Sequence, residues 1–454
     1  MTIPTPSPTR SSRLPYRTAS VFAVLVAPFA FASCTADAPP SDAADSPAPG
    51  DAAGAEFLAF TGAHLYPGTG SSWIEDATLV VQDGRVISVE ADGEVPEDAR
   101  VVDVAGLWII PGLIDAHAHV TGAWSGLAEE APTADRLEGD LLLYARHGVT
   151  TVNSLGGIPQ EAARAIRDAE ASGAPGRARL QYAGVVVTGP TADEARAQTA
   201  ANAEAGADWI KFRVDDNLGT STPMPWEAIE ASMAEAEARG LPVSAHVFYR
   251  ADAERLLDLG VSMIGHSVRD VALPEDAADA FASAGACNVP TLAREITTFA
   301  YAERPDWFDD PLFQKWADAE TIERVTDPEF QAAMAESSAA AAYRAGLIVA
   351  QENLERMARA GVPVAMGTDA GPRNRFPGFL EHLELELMVD SGLTSAEALS
   401  VATAGSAACL QRADLGVLSA GRRADFVVLS GDPLADIRAT REVVTVYVEG
   451  AAIR

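Results

Sequence analysis

Between residues 112 and 413 the chain alternates short apolar runs with stretches rich in Ala and Glu. Strands that alternate with helices in this way are typical of βαβ units and a parallel sheet. The strand candidates are residues 113–119, 149–155, 180–188, 209–214, 242–248, 261–266, 287–293 and 363–369. Because eight such units close into a barrel, the sequence predicts an α/β fold with a TIM-like (β/α)8 barrel over residues 112–413.

The two ends of the folded part of the chain, residues 56–454, have a different pattern, in which β-type runs are broken by turns rich in Gly, Asp and Asn. Runs of this kind fill residues 56–111 and return over residues 414–454. A chain of 454 residues can hold a barrel together with a small companion domain. We therefore expect the two ends to pair into one β-sandwich beside the barrel.

Residues 294–344, between the seventh and eighth strand candidates, form a segment that is too long for a plain connection. The aromatic residues of this insertion include Phe299, Tyr301, Trp307, Phe308, Phe313 and Trp316. Since the loops after barrel strands surround the active-site mouth, we expect a helical lid or pocket wall here. For most of these aromatic side chains, ordinary packing of surface helices onto the body is the alternative.

The N-terminus has the pattern of an export signal. Residues 1–33 carry arginines but no acidic residue, and their apolar run at 21–32 is too short to span a bilayer as a helix. The run ends in the letters FASC at Cys34, which resembles the bacterial lipobox and implies lipidation of Cys34. Ordinary secretion with cleavage near Cys34 is the alternative. Either route predicts an exported protein, which the lipid would anchor to a membrane at the periplasmic or cell-surface side.

The residue composition and net charge limit the kinds of partner that the chain can bind. Residues 34–55 are rich in Pro, Ala, Asp and Ser and predict a flexible linker. The chain holds 65 acidic and 33 basic residues, a formal net charge of −32, so its surface should repel nucleic acid and anionic lipid. We expect a small-molecule substrate, no nucleic acid, and membrane contact only through the lipid anchor. A homo-oligomer stays open, because nothing in the sequence determines its order.

The chain has three cysteines, too few for a disulfide framework, and no C-x-x-C pair that would hold a structural zinc. A disulfide within the body would have to join Cys287 and Cys409. Both lie in apolar surroundings, so we expect buried free thiols rather than a disulfide.

The strongest chemical signal is the pair His117 and His119 at the end of the first strand candidate. Alternate residues of a strand face the same side, so both imidazoles can face one metal ion. Further metal-ligand types end or line other strand candidates: Lys211, His246, His266 and Asp369. Catalytic residues of barrel enzymes come from the C-terminal ends of different strands. Each residue alone could belong to the core, but the set predicts a divalent-metal site.

The motifs around these residues are PGLIDAHAH, ADWIKF, SAHVF, IGHS, MGTDAG and the tail AGRRADFVVLSGDPL. Over residues 56–454 the chain resembles the amidohydrolase superfamily, in its imidazolonepropionase-like and Xaa-Pro dipeptidase-like branch. Members of this branch often carry a carboxylated lysine between two metal ions. The resemblance implies two ions, zinc by the ligand types. The implied ligands are His117, His119 and Asp369 for one ion, His246 and His266 for the other, with carboxylated Lys211 as the bridge.

Charge also favours modification of Lys211, because an ammonium beside two cations is repelled whereas its CO2 adduct is an anion with two oxygens. A desolvated lysine near cations has a lowered pKa, which exposes the neutral amine that CO2 needs. The alternative is an unmodified Lys211 that pairs with an acid such as Asp215, with one metal bound. Cobalt, manganese or iron are alternatives to zinc.

The predicted reaction is hydrolysis of an amide or cyclic amide C–N bond, as in a dipeptide or an N-acyl amino acid. In such sites a metal-bound water is acidified and attacks a carbonyl that a metal polarises. Asp369 is the candidate catalytic residue, as the proton shuttle between this water and the leaving amine. A lactonase or esterase on the same site is one alternative. A second alternative is a non-catalytic, lipid-anchored binding protein. The absence of one or more metal-ligand residues from the sequence would indicate it.

Four residues near the predicted mouth are candidates for substrate binding: Arg213, Tyr249, Arg373 and Arg375. A guanidinium there could hold a substrate carboxylate through two hydrogen bonds, whereas ordinary surface arginine is the alternative. Three histidines are set aside as structural. His147 precedes the second strand and suits a helix C-terminus, His382 falls on a helix after the eighth strand candidate, and His64 belongs to the β domain.

Overall fold

The computed structural model describes residues 57–70, 72–122, 124, 133–171, 173 and 176–454. The predicted signal peptide at 1–33, lipidation of Cys34 and the whole linker at 34–55 lie outside the described residues. Within them the chain has a mixed α/β fold with parallel strands. No helix of this described part is long and apolar enough to cross a bilayer.

Strands dominate the two ends of the described chain, and helices alternate with strands between them. The strands are β1 (Leu58–Leu65), β2 (Ile74–Gln82), β3 (Arg85–Ala91), β4 (Arg100–Asp103), β5 (Trp108–Pro111), β6 (Leu113–Ala118), β7 (Val149–Ser154), β8 (Arg179–Tyr182), β9 (Ile210–Arg213), β10 (Val243–His246), β11 (Met263–Gly265), β12 (Cys287–Val289), β13 (Phe426–Leu429), β14 (Val443–Val448) and β15 (Ala451–Ala452). The helices are α1 (Ala134–Arg146), α2 (Gln160–Ala171), α3 (Ala192–Glu204), α4 (Trp226–Ala238), α5 (Arg250–Asp258), α6 (Glu275–Ala284), α7 (Leu292–Thr297), α8 (Pro311–Trp316), α9 (Ala319–Val325), α10 (Pro328–Ala335), α11 (Ser338–Arg359), α12 (Phe379–Asp390), α13 (Ser395–Ser400) and α14 (Ser406–Cys409).

The two ends of the body meet in one sheet, in the order β15-β14-β13-β5-β1-β2-β3, with β4 beside β1. The junction is the antiparallel pair of β13 and β5, in which Val427 lies opposite Ile110. Alternate side chains of these strands form a separate apolar core. In it the ring of Phe60 lies 4.9 Å from the rings of both Phe426 and Tyr447. The β2–β3 hairpin turns at Asp83-Gly84, both with positive φ, as the tight hairpin turns that match strand twist require.

The middle of the chain forms two parallel sheets, β6-β7-β8 and β12-β11-β10-β9. Their strands are buried along nearly their whole length, as expected for parallel strands covered on both faces. Residues that belong to no named strand form hydrogen bonds with the edges of these sheets. At one junction the amide of Val187 donates to Lys211 O at 2.8 Å. At the other, Ala365 N donates to Asn288 O at 3.0 Å, and Ala116 N donates to Met366 O at 2.8 Å.

The eighth strand candidate, 363–369, is not a regular strand, so that part of the prediction was wrong. Its residues bond to β12 on one side and β6 on the other, but only Val364 forms a bridge to Asn288. The extended backbone of this segment ends at Asp369, whose φ of 55° lies outside the β region. The third candidate, 180–188, is likewise short, and β8 ends at Tyr182, two residues before Gly184 with its φ of 70°.

The insertion at 294–344 is helical, and it holds most of α7, all of α8 to α10 and the start of α11. Three of its aromatic side chains, Tyr301, Phe308 and Phe313, are buried. The rings of Phe308 and Phe313 stack at 4.7 Å, and Phe313 lies 4.8 Å from Phe376, just beyond the eighth strand candidate. For these three residues the structure therefore agrees with the alternative that their side chains pack onto the body of the protein. The role of the insertion as a lid stays a prediction.

Cys287 of β12 and Cys409 of α14 form a disulfide, so the expectation of free thiols was wrong. Their Cα atoms lie 5.8 Å apart, a separation that a disulfide spans without backbone movement. Both residues pack in one apolar cluster with Trp209, Met263 and Leu410. The prediction of apolar surroundings was therefore correct. Apolar surroundings alone, however, do not show that α14 lies next to the start of β12.

A buried ion pair connects the parallel strand β8 to the antiparallel sheet. Arg179 donates to both carboxylate oxygens of Asp425 at 3.0 Å and lies 2.9 Å from Glu449. Both Arg179 and Asp425 are buried.

We expect Arg179→Met to lower the free energy of unfolding by about 3 to 5 kcal/mol, because it leaves the Asp425 carboxylate buried without its cation. Urea denaturation measures this. The control is Arg196→Met, which removes an exposed pair with Asp193 and should cost less than about 0.5 kcal/mol. Equal effects of the two substitutions would contradict the prediction.

Candidate metal centre

The six residues predicted as metal ligands lie at or beside the C-terminal ends of parallel strands. His117 is the next-to-last residue of β6 and His119 directly follows this strand, Lys211 lies on β9, and His246 ends β10. His266 follows β11, and Asp369 follows the bridge that joins residue 364 to β12. All are buried except His119, which is partly exposed. Local hydrophobic strands thus carry polar side chains to one end of the parallel sheets.

His117, His266 and Asp369 come within ligand distance of one another, since one possible ligand atom from each lies within 4.8 Å of the other two. His117 Nδ1 and His266 Nε2 are buried and have no hydrogen-bond partner within the described part of the chain. Buried polar atoms are normally bonded, so such nitrogens call for a partner. Imidazole nitrogens and a carboxylate are donors that suit a divalent transition metal. These residues therefore fit a metal ion.

His119 lies at the same place. Its Nε2 is 2.8 Å from Asp369 Oδ1, and its Nδ1 donates to the carbonyl of Gly156 at 2.9 Å. A metal-binding histidine is commonly held through its second nitrogen by such a carbonyl or a carboxylate. His266 is held in the same manner, with Nδ1 2.6 Å from the hydroxyl of Thr291.

Lys211 points into the cluster, with Nζ 3.1 Å from His117 Nε2. Burial lowers the pKa of Lys211 to about 7, although the negative charge of Asp369 opposes this shift. Space here is tight, because a Cβ added at Gly265 would lie 2.8 Å from His117 Cε1 and 3.1 Å from Lys211 Nζ. Only glycine fits between these two side chains without movement.

Asp215 does not pair with Lys211, the alternative raised from the sequence. Its Oδ2 lies 3.0 Å from His246 Nε2 instead. Burial acts to raise the pKa of Asp215, but the contact with His246 outweighs it and lowers the pKa to about 2. Burial lowers the pKa of His246 to about 3 in spite of this acid. The ring of His246 packs against that of His266, with centroids 4.1 Å apart.

The backbone at this end of the sheets is strained. His266, Thr291 and Asp369 have φ angles of 70°, 50° and 55°, in the left-handed region. Asp and His adopt this region more readily than most residues, whereas it is unusual for the β-branched Thr291, where it costs on the order of 1 to 3 kcal/mol. Such residues concentrate at functional sites, and these three lie where the strand pattern ends at the cluster.

Three buried charged residues behind Asp369, namely Arg269, Arg294 and Glu295, were not identified from the sequence. Asp369 Oδ2 contacts Arg375 Nη1 and lies 3.6 Å from Arg294 Nε. Arg294 donates to Glu295 at 3.0 Å, and Glu295 lies 3.3 Å from Arg269. Burial would raise the pKa of Asp369, but the charge of Arg375 and the bond to His119 keep it well below its usual range. The available signal was the Arg-Glu pair directly after the seventh strand candidate.

Buried carboxyl groups beneath the ligands were missed as well. Asp115 accepts from the amide of His117 at 2.8 Å and from the hydroxyl of Thr368 at 2.6 Å. Glu381 Oε1 of α12 lies 3.3 Å from the same hydroxyl oxygen. Burial raises the pKa values of both acids. These contacts tie the residue before Asp369 to the strand that carries His117.

The four candidates for substrate binding have different surroundings. Arg375 contacts Asp369, as described, and Arg213 is partly buried on β9 two residues after Lys211. The hydroxyl of Tyr249 donates to Asp216 at 2.9 Å, which together with burial raises the pKa of Tyr249 to about 12. Arg373 is exposed. Substrate binding by these residues stays a prediction.

The three histidines set aside have structural contacts. His147 caps the C-terminus of α1, and its Nδ1 donates to the carbonyl of Leu143 at 2.9 Å. His382 donates through Nε2 to the carbonyl of His147 at 2.9 Å and lies 3.0 Å from the Thr440 hydroxyl. His64 of β1 contacts Glu75 and stacks on Trp108.

Comparison with known proteins identifies the family of the chain. The sequence profile of the amidohydrolase family matches residues 108–453. The imidazolonepropionase of Streptomyces avermitilis is 24% identical over 386 residues, which cover 76% of this chain and 78% of that protein. An uncharacterised protein of Mycobacterium bovis is 30% identical over 225 residues, which cover 47% of this chain and only 57% of that relative.

Among solved structures, a Xaa-Pro dipeptidase with methionine bound in its active site superposes with a TM-score of 0.70 at 20% identity, over 87% of this chain and 99% of the other. At this identity the likeness shows a common fold. The resemblance drawn from the motifs is confirmed by the profile match over most of the body. The chain belongs to the amidohydrolase family.

Proposed function

We propose that the protein is a metal-dependent hydrolase that cleaves an amide or cyclic amide C–N bond. The observation that carries the proposal is the convergence of His117, His266 and Asp369 around buried nitrogens without partners. The matched relatives include an imidazolonepropionase and a Xaa-Pro dipeptidase, and these names favour a C–N bond in a small molecule such as a dipeptide or an N-acyl amino acid.

The proposed cofactor is a pair of divalent ions, with zinc as the best fit to imidazole and carboxylate donors. His117, His119 and Asp369 would hold one ion, His246 and His266 the other, and Lys211 would bridge them after its neutral amine adds CO2 and releases a proton. Two contacts support His246 and His266 as metal ligands. Asp215 holds His246 through Nε2, and Thr291 holds His266 through Nδ1, as residues that orient metal ligands commonly do.

When bound, the ions would acidify a water molecule and polarise the substrate carbonyl. The residues of the chain then have separate tasks. Asp369 Oδ1, on the side of His117 and His119, accepts the proton of the attacking water and returns it to the leaving nitrogen. Asp369 Oδ2 is kept out of this exchange by Arg375 and Arg294. The Gly156 carbonyl fixes His119 so that its Nε2 faces Asp369.

The finer architecture belongs to the same proposal. We infer that the two parallel sheets close into one (β/α)8 barrel, supported by their bonds through Val187 and through residues 363–370. We also infer that the antiparallel sheet folds over its own apolar core as a sandwich. The amides of Val86 and Ala424 support this, since they bond residues 84–86 to residues 422–424 at the far side of the sheet.

Export and lipid anchoring at Cys34 are also proposed. The disulfide of Cys287 and Cys409 supports an oxidising compartment, because disulfides persist in secreted and periplasmic proteins and are rare in the cytosol. Mass spectrometry of the protein purified from membranes would give the modification and the first residue of the mature chain.

Metal removal tests the proposed function. We expect dialysis against a chelator to lower hydrolysis of Xaa-Pro dipeptides and N-acyl amino acids by at least about 100-fold, because the attacking water loses its activation. Two equivalents of Zn²⁺ should restore the rate, and mass spectrometry of the metals should find about two ions per chain. Dialysis without chelator is the control.

Other outcomes point to the alternatives. Turnover of lactones or esters with no amide hydrolysis would assign the same centre to C–O bonds. Metal binding without any turnover across the panel would favour a binding protein. A rate that does not respond to chelator, with no metal in the protein, would overturn the proposal.

A further inference from the structure

The helical insertion at 294–344 contacts the loop that follows the eighth strand candidate. Arg324 of α9 donates to Asn374 Oδ1 through Nε at 3.1 Å and through Nη2 at 2.9 Å. The same Nη2 donates to the hydroxyl of Thr321 at 3.0 Å, one helical turn earlier. The backbone carbonyl of Asn374 accepts from the hydroxyl of Tyr301 at 2.7 Å. The insertion therefore binds both the side-chain oxygen and the backbone oxygen of Asn374.

The insertion also holds the residue on the other side of Arg375. The ring of Phe376 is buried and lies 4.8 Å from the ring of Phe313 and 5.9 Å from that of Phe308. Ring pairs at these separations stabilise a contact beyond the area that they bury. Asn374 and Phe376 thus fix the backbone of Arg375 from both sides.

The backbone around Arg375 forms a closed turn. Gly371 N donates to Arg375 O at 3.1 Å, and Arg375 N donates to Pro372 O at 3.1 Å. Within this turn Asn374 has a φ of 68°, in the left-handed region that asparagine adopts more readily than most residues. Because the turn is short and closed, the contacts of Asn374 determine the direction in which the next residue points.

Arg375 extends this support to the predicted metal centre. Its Nη1 contacts Asp369 Oδ2 and donates to the carbonyl of Asp369 at 3.2 Å. The other carboxylate oxygen, Asp369 Oδ1, lies 2.8 Å from His119 Nε2. Rotation about the last bond of an aspartate side chain is only weakly restricted, so a carboxylate without such a contact can exchange its two oxygens. Arg375 thus keeps Oδ1 as the oxygen that faces His119.

We propose that Arg324 and Asn374 are positioning residues, through which the insertion fixes Arg375 and thereby orients the Asp369 carboxylate for proton transfer. This inference rests on the proposed hydrolase function and gives the insertion a part in it. The side chains of Arg324 and Asn374 bond to each other and to Thr321, away from the predicted ligands. Their effect on the reaction therefore passes through Arg375.

The test measures kcat and KM of zinc-loaded variants on Xaa-Pro dipeptides and N-acyl amino acids. In Arg324→Met we expect kcat to fall about 30-fold with KM changed less than about 3-fold, because a displacement of about 1 Å in a reacting group can cost about 100-fold in rate. Asn374→Gly, which tolerates the left-handed backbone, should have the same effect. Asn374→Asp keeps an acceptor oxygen for Arg324 and should retain kcat within about 3-fold of the wild type.

Two further variants separate positioning from a general loss of structure. The double variant of Arg324→Met and Asn374→Gly should lose about 30-fold in kcat rather than the about 1,000-fold of independent effects, since both substitutions break the same contact. Arg304→Met removes an exposed ion pair with Asp309 in the same insertion and should keep the wild-type kcat.

Crystal structures provide a readout that does not depend on turnover. Arg375 should contact Asp369 in the wild type and in Asn374→Asp, and should no longer do so in Arg324→Met or in Asn374→Gly. If Arg324→Met does not fold, the two substitutions of Asn374 still decide the question.

The outcomes distinguish this inference from the function on which it rests. Wild-type kcat in Arg324→Met, or a multiplied loss in the double variant, would overturn the inference and leave the hydrolase function standing. Equal losses in Asn374→Asp and Asn374→Gly would also overturn it, because the acceptor oxygen would then be irrelevant. No hydrolysis by the zinc-loaded wild type would overturn the proposed function, and the positioning role with it.

Discussion

Lys211→Ala should reduce hydrolysis by on the order of 1,000-fold, because the bridge between the proposed ions is lost together with the activated water. Metal content should fall from about two ions per chain to about one or fewer, since imidazoles and one carboxylate alone would remain to bind. The measurements are metal mass spectrometry and kcat/KM on the dipeptide panel. Metal content gives a readout that does not depend on knowing the substrate.

The chain supplies a matched control, because its other lysine is Lys315. Lys315 belongs to α8 and lies 4.9 Å from the ring centre of Trp316 on the surface. Lys315→Ala should leave metal content and rate as in the wild type. Unchanged metal content in Lys211→Ala would contradict the bridging role and favour a mononuclear site.

Replacing both Cys287 and Cys409 by Ser should lower the free energy of unfolding by about 3 to 5 kcal/mol, because the disulfide closes a loop of 122 residues. Most of the effect comes from the unfolded chain, which regains conformations that the cross-link forbids. Urea denaturation monitored by circular dichroism measures the change.

Reductant provides the internal comparison. Dithiothreitol should shift the wild-type transition toward that of the double variant and leave the variant unchanged. Two free thiols titrated in the unfolded, unreduced body would falsify the disulfide and restore the expectation drawn from the sequence.

The residues that could be predicted from the sequence are those whose position follows from a local pattern. His117, His246 and His266 end or directly follow short apolar strands, and parallel strands bring their C-terminal ends together. Lys211 was identifiable because a lysine within an otherwise apolar strand breaks the hydrophobic pattern. The paired ends of the body were likewise visible as β-type runs at 56–111 and 414–454.

The residues that were missed depend on contacts that no local pattern carries. Arg294 and Glu295 read as surface charges at the start of a helical insertion, yet the fold buries both. Glu381 lies on α12, whose sequence has acids among its apolar residues, and only packing against Asp115 and Thr368 shows which face is internal. The disulfide was missed because residues 122 positions apart meet only in the finished fold.

The pairing of β13 with β5 also constrains the order of folding. Strands β1 to β5 pair with one another, but β5 lacks β13 until the last part of the chain has been synthesised, so the antiparallel sheet cannot be completed before then. Contacts between such distant segments form slowly, because a long loop must close before they stabilise anything. Removal of the final strands would leave β5 with an unpaired edge at the centre of the sheet, where it now lies between β13 and β1.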